Sequence, residues 1–157
     1  MIFAFTMAFM LAIELISPSI KPPEVYLTPV SVYVDRYYVK KKEYGLPSTR
    51  SRVPVSLAPL SPVLLGVCYS VLGLHNVEIN QRFYESASDG EREELVFHEL
   101  GHCDMDRAHV EGSIYYKGFW ITKTIMHCCG MINGFEYERF HDYYMDELFD
   151  DKHALKE

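Results

Sequence analysis

The spacing of hydrophobic positions changes along the chain and divides it into three parts. Residues 2–13 are almost wholly apolar, a run as long as the apolar core of a signal peptide and shorter than a standard membrane span. Residues 17–62 hold all eight prolines, which predicts an extended lead-in. We therefore expect an apolar N-terminal segment at 1–16, the lead-in at 17–62 and one folded domain at 63–157.

Three segments have the residue types and alternation of β-strands. Residues 30–39 are rich in β-branched and aromatic side chains and alternate in part, which predicts a strand inside the lead-in. Residues 63–72 form an apolar run typical of a buried strand, whereas residues 75–83 alternate as an exposed edge strand does. An edge strand can bind an extended peptide by adding it to the sheet, so 75–83 is the predicted binding edge.

Two segments are predicted to be helical. Ser88 and Glu91 form a capping-box signature before a helix that runs through Cys103 and ends near Asp106. A C-terminal helix is predicted over 133–149. Its inner face would carry Phe135, Phe140, Tyr143, Tyr144 and Leu148. Together these elements predict an α+β fold, with a mixed sheet, a helix carrying the candidate chemistry and a C-terminal helix.

The first helix carries the candidate chemistry. His98 and His102 are four residues apart, so their imidazoles lie on one helix face, one turn apart, and can bind one zinc ion. Glu99 lies beside them and is placed to take a proton from a water bound to that zinc. Gly101 inside the helix costs roughly 1 kcal/mol of helix stability, which indicates a need for close packing or access.

A catalytic zinc site needs a third protein ligand and an open fourth position. His109 is the leading candidate, because a short turn after the helix would bring it back to the metal. The sequence leaves alternatives open. They are Asp106 first, Asp104 next, and Glu136 or Glu138 if the third ligand comes from the second helix.

Residues 97–109, followed by 124–127, resemble the metzincin type of zinc peptidase. The resemblance is greatest to short metallopeptidases of bacteria and their phages that carry a His-Glu-Leu-Gly-His-Cys sequence. It implies a small zincin-like domain that binds Zn²⁺ and hydrolyses peptide bonds.

The resemblance also implies roles for single residues. His98, His102 and His109 would be the zinc ligands, Glu99 the general base, and Met126 the methionine of a turn beneath the metal. The chain departs from the family pattern in two places. The gap from His102 to His109 is one residue longer, and Met105 stands where the family has its turn glycine.

Residues near this motif have several interpretations. His127, Tyr143 and Tyr144 are candidates for hydrogen bonds to a substrate, although a structural role is the simpler interpretation. A Cys68–Cys103 disulfide is compatible with an exported protein, and buried thiols with a reducing compartment. The other two cysteines, at 128 and 129, are adjacent and poorly placed to pair with each other.

Charge and composition limit the partners. The net charge is −7, and no basic face indicates nucleic-acid binding. The basic stretch at 35–52 is either a solvated face or a contact for an anionic partner or membrane. The predicted partner is a peptide or protein substrate, with membrane, virion or envelope attachment through residues 1–16 as a further option.

Two functions of different classes remain. The first is a zinc-dependent metallopeptidase. The alternative is a structural or assembly protein of a virion or envelope, in which the zinc site is structural or vestigial. A weaker third is a membrane-anchored binding module without metal. The corresponding locations are an exported protein, a protein anchored in a bacterial envelope, or a virion-associated protein.

Overall fold

The computed structural model describes residues 28–47, 51–128 and 130–150. The predicted apolar segment at 1–16 lies outside these residues, as does Cys129. The elements in chain order are α1 (Val30–Glu43), β1 (Val55–Ala58), β2 (Gly66–Val71), β3 (Leu74–Asn80), α2 (Gln81–Ser86), α3 (Asp89–Met105), β4 (Ser113–Tyr116), β5 (Phe119–Thr122), α4 (Gly134–Arg139) and α5 (His141–Phe149). No helix among the described residues has the length and apolarity to cross a bilayer.

The domain is α+β with a mixed three-stranded sheet, as predicted. The strand order is β1-β3-β2, with β1 parallel and β2 antiparallel to β3. A separate hairpin joins β4 to β5. Helix α3 packs against β2 and β3 on one side and against α1 on another, so it lies at the centre of the fold.

The strand predicted at 30–39 is wrong, because these residues belong to α1. Tyr33, Tyr37 and Lys41 are four residues apart and buried on the face that meets α3. The ring of Tyr37 lies 5.3 Å from that of Phe97 on α3. This helix-period burial outweighs the β propensity of the valines and tyrosines, a propensity that depends strongly on context. The extended conformation predicted for 17–62 therefore does not hold for α1.

The predicted edge strand is also wrong. Strand β3 is central, and both Val77 and Ile79 on it are fully buried. Strand β2, predicted to be buried, is an edge strand and is exposed over its last three residues. The alternation at 75–83 arose because β3 has one buried face, and its last predicted residues instead begin α2, capped by Asn80.

The C-terminal helix is divided at Phe140 into α4 and α5. The Phe140 ring lies against Tyr116 and Phe119 of the β4–β5 hairpin, and this contact accompanies the break. Asn133 caps α4 as predicted. Of the predicted inner face, Phe140, Tyr144 and Leu148 are buried, whereas Phe135 is 71% exposed.

Helix α1 is joined to α3 by a buried ion pair. Lys41 Nζ lies 2.6 Å from Asp104 Oδ2, and both side chains are almost fully buried. Three other cations of the basic stretch are also paired. Arg36 binds Asp89 and Glu93, Lys40 binds Glu43, and Arg52 binds Asp35.

We expect Lys41→Met to lower the free energy of unfolding by roughly 3–5 kcal/mol, because it leaves the buried Asp104 carboxylate without its partner. The double variant Lys41→Met with Asp104→Leu should recover most of that loss, since it removes both charges. Urea unfolding of the two variants measures this. If both variants lost the same free energy of unfolding, the unpaired Asp104 carboxylate would not be the cause of the loss.

Candidate metal centre

Three histidine side chains converge at the open side of α3. The Nε2 atoms of His98 and His102 are 3.1 Å apart, and His109 Nε2 lies 3.2 Å from the first and 3.0 Å from the second. A tetrahedral zinc with Zn–N bonds of about 2.1 Å holds its ligand nitrogens roughly 3.4 Å apart, so the triangle has nearly the required size.

Backbone carbonyls fix the protons of two of these rings. His98 Nδ1 lies 2.8 Å from Ile125 O, and His102 Nδ1 lies 2.6 Å from Arg107 O. A carbonyl oxygen only accepts, so each Nδ1 must carry the proton and each Nε2 presents a lone pair. Burial lowers the pKa of both histidines, that of His98 to about 4, which keeps them neutral.

Two lone pairs therefore face each other at hydrogen-bond distance with no proton between them. The Nε2 atom of His109 can carry at most one proton and so can satisfy only one of them. A cation placed among the three nitrogens satisfies all of them. The arrangement fits a divalent metal ion with imidazole ligands.

The third histidine reaches the group through a turn that a non-glycine residue makes. Asp106 ends α3 in the left-handed conformation, with φ 54° and ψ 30°, and Arg107 N then donates to Gly101 O. Aspartate tolerates this conformation better than most residues. The turn is one position later than Met105, where the family pattern places its glycine, which accommodates the longer gap to His109.

The alternative ligands lie elsewhere. Among the described residues only the three histidines converge here, and the carboxylate of Asp106 is not part of this cluster. Asp104 is paired with Lys41. Glu136 accepts from Thr122 N and Tyr144 Oη, and Glu138 lies beside Gly90.

Glu99 projects into the cavity beside the histidines and is 6% exposed. Burial raises its pKa to about 7. The side chain fits because residue 66 is glycine, since a Cβ there would lie 2.6 Å from Glu99 Oε1. Gly66 was missed by sequence reasoning, because nothing in the sequence places it over the helix.

Met126 is fully buried and packs against Gly101 of α3. A Cβ on Gly101 would lie 2.5 Å from Met126 Sδ, which gives this helical glycine its packing reason. Met126 N donates to Thr124 Oγ1, and Met126 O accepts from Val110 N. The loop carrying Met126 and the loop carrying His109 are therefore bonded to each other.

An ion pair between Arg107 and Glu147 holds both carbonyls that orient the histidines. Arg107 Nη2 lies 2.5 Å from Glu147 Oε1, and the other carboxylate oxygen accepts from Ile125 N. The Glu147 carboxylate on α5 therefore holds both residues whose carbonyls orient the histidines. Ile125 orients His98, and Arg107 orients His102. Sequence reasoning missed both residues, because their partners are distant along the chain.

A cavity of about 750 Å³ opens over the histidines. Its lining includes Val63, Leu64, Leu95, His127, Gly130 and Met131. His127, a candidate for substrate contact, therefore faces the cavity, with its Nε2 3.8 Å from Glu111 Oε2. Tyr143 and Tyr144 instead donate to Lys123 O and Glu136 Oε1, which gives them structural partners.

Cys68 on β2 and Cys103 on α3 form a disulfide. The bond joins the edge strand to the helix at the residue after His102. His75 lies beside the two sulfurs. Sulfur ligands bind metals as thiolates, so this second cluster is not a metal site while the disulfide is intact.

Comparison of the chain with family models, curated proteins and solved structures finds no match.

We expect Glu147→Gln to weaken zinc binding by about 10- to 100-fold, because the groups that orient metal ligands contribute on this scale. Competition with a chromogenic zinc chelator measures the affinity. Glu138→Gln on α4, an exposed carboxylate beside Gly90, is the matched control and should leave it unchanged. Wild-type affinity in the Glu147 variant would remove the positioning role.

A second carboxylate near the site is expected to make stability depend on pH. Glu94, one turn before His98, accepts from Ile132 N, while its Oε2 is buried without a partner. Burial raises its pKa to about 8. Because the folded-state pKa lies above the unfolded value near 4.5, this stabilising contribution is complete below pH 4.5 and is lost as pH rises through 8.

Glu94→Gln keeps an acceptor for Ile132 N and cannot ionise. We expect it to match the wild type at low pH and to become more stable than the wild type by a few kcal/mol above pH about 8. Thermal and urea unfolding across this range test the difference. A stability difference that is independent of pH would contradict the assignment.

Proposed function

We propose that the chain is a zinc-dependent metallopeptidase with a metzincin-like site. The observation that carries the proposal is the set of facing lone pairs of His98 and His102, with His109 completing a three-nitrogen donor set. Three protein ligands leave a fourth position, and the adjoining cavity gives a substrate access to it. An open site of this kind supports catalysis, whereas structural zinc sites have four protein ligands.

A zinc ion held there would lower the pKa of a coordinated water to near 7 and polarise a substrate carbonyl. Glu99 would accept a proton from that water, because its carboxylate lies beside the three histidines and faces the cavity. Its pKa near 7 in the metal-free chain suits a group that takes up a proton and later donates it to the leaving amine.

The substrate would be an extended peptide bound along β2. The outer edge of this strand pairs with no other strand among the described residues, and residues 63–68 line the cavity. A peptide added to that edge makes backbone hydrogen bonds regardless of its sequence and crosses the metal centre. The disulfide at Cys68 keeps this edge at a fixed distance from α3. The binding edge is thus β2, in place of the 75–83 segment expected from the sequence.

We expect Glu99→Gln to abolish peptide hydrolysis while zinc remains bound, because Glu99 contributes the proton transfer and no metal ligand. General-base catalysis of this kind is worth about 10²- to 10⁴-fold in rate. Elemental analysis gives the zinc content, and cleavage of a peptide library gives the activity. Glu85→Gln, an exposed carboxylate on α2, should retain both.

Two outcomes would contradict the proposal. Full activity in Glu99→Gln would remove the mechanism. A wild-type protein that holds zinc at the three histidines and cleaves no peptide in the library would favour the structural or assembly alternative.

A further inference from the structure

We propose that the β4–β5 hairpin and α4 together form a surface that docks onto anionic membrane lipid. This aromatic hairpin surface consists of Tyr115, Lys117, Phe119, Trp120, Phe135 and Arg139. The inference is independent of the proposed hydrolysis, since none of these residues lines the metal cavity.

Large aromatic side chains face solvent on this surface. Tyr115 and Trp120 are cross-strand partners with ring centroids 5.6 Å apart, and they are 61% and 72% exposed. They share the outward face of the hairpin, because side chains alternate and Ile121 on the other face is buried. Two adjacent large aromatic side chains exposed in this way mark a candidate interaction site.

Further exposed aromatics lie on the opposite face of the hairpin, where Phe119 is 43% exposed, and on α4. Phe135 is 71% exposed, and the Arg139 guanidinium lies 4.1 Å from the Phe119 ring centroid and 5.9 Å from that of Phe135. Arg139 therefore bridges the hairpin and the helix through ring faces. Its charge remains available to a partner, because no ion pair with a described carboxylate engages it.

The charge of the surface is opposite to that of the whole chain. Lys117 lies at the exposed hairpin turn and, like Arg139, has no ion pair among the described residues. Of the acids on α4, Glu136 is bonded to Thr122 N and Tyr144 Oη, and Glu138 lies beside Gly90. A local cationic patch on a chain of net charge −7 indicates an anionic partner.

Lipid fits this combination better than nucleic acid. Trp and Tyr prefer the membrane interface, where the ring is in an apolar layer and the polar atom reaches water, and long Lys and Arg side chains reach anionic headgroups from the same depth. Tight nucleic-acid binding depends on many phosphate contacts. Two cations on a strongly acidic chain supply too few.

The only tryptophan of the chain, Trp120, lies within the surface and reports on it directly. The full chain is titrated with vesicles of phosphatidylcholine and with vesicles of equal parts phosphatidylcholine and phosphatidylglycerol. We expect a blue shift of Trp120 emission and quenching by brominated acyl chains only with the anionic vesicles. A cation near an anionic surface contributes about 1 kcal/mol. Lys117→Glu removes one such attraction and adds a repulsion of similar size, so it should weaken partitioning by about 30-fold.

Tyr115→Ser should also weaken partitioning, and Leu72→Asn is the matched control. Leu72 is an exposed apolar residue (99%) at the turn of the other hairpin, where its φ of 52° suits asparagine, so this variant should bind as the wild type does. Partitioning unchanged by Lys117→Glu and Tyr115→Ser would overturn the proposal, because lipid would then bind elsewhere in the chain. Absence of binding to anionic vesicles, or a larger Trp120 response to RNA than to vesicles, would overturn it as well.

Discussion

The approach of two imidazole lone pairs to 3.1 Å is the constraint on which the rest of the centre depends. Left to themselves, two neutral histidines four residues apart would rotate so that one donates to the other. Here each ring is held by a carbonyl that takes its proton on Nδ1. These two hydrogen bonds keep both Nε2 atoms unprotonated, with their lone pairs directed at the same point. Such preorganisation lowers the cost of binding a cation.

Holding those carbonyls still requires elements from across the domain. Residue 107 follows the left-handed turn at Asp106, and residue 125 lies in the loop above Met126. Glu147 on α5 ties both segments together through a partly buried ion pair. Helix α3 itself is packed against β2, β3, α1 and α4, and Gly101 lets Met126 approach its backbone closely. A small change in any of these packed elements would move a ligand nitrogen out of the triangle.

The sequence predicts those features of the site that depend on residues close together in the chain. The capping box at Ser88, the spacing of His98 and His102 and the place of Glu99 all follow from one helix. Long-range packing decided the rest. The residue types of α1 predict a strand, and its helical face becomes evident only from packing such as that of Tyr37 on Phe97. Gly66 gave no sequence signal, because its role depends on a carboxylate 33 positions later in the chain.

The hairpin and the candidate metal centre are adjacent in sequence, but they are formed by different contacts. Strands β4 and β5 lie between His109 and Met126, so the hairpin interrupts the segment that closes the site. Its base is fixed where Lys123 N donates to Gly112 O and Val110 N donates to Met126 O. Those bonds complete the metal centre before the chain enters the exposed strands. The outer residues are therefore free to serve a surface, because none of them helps to position a ligand nitrogen.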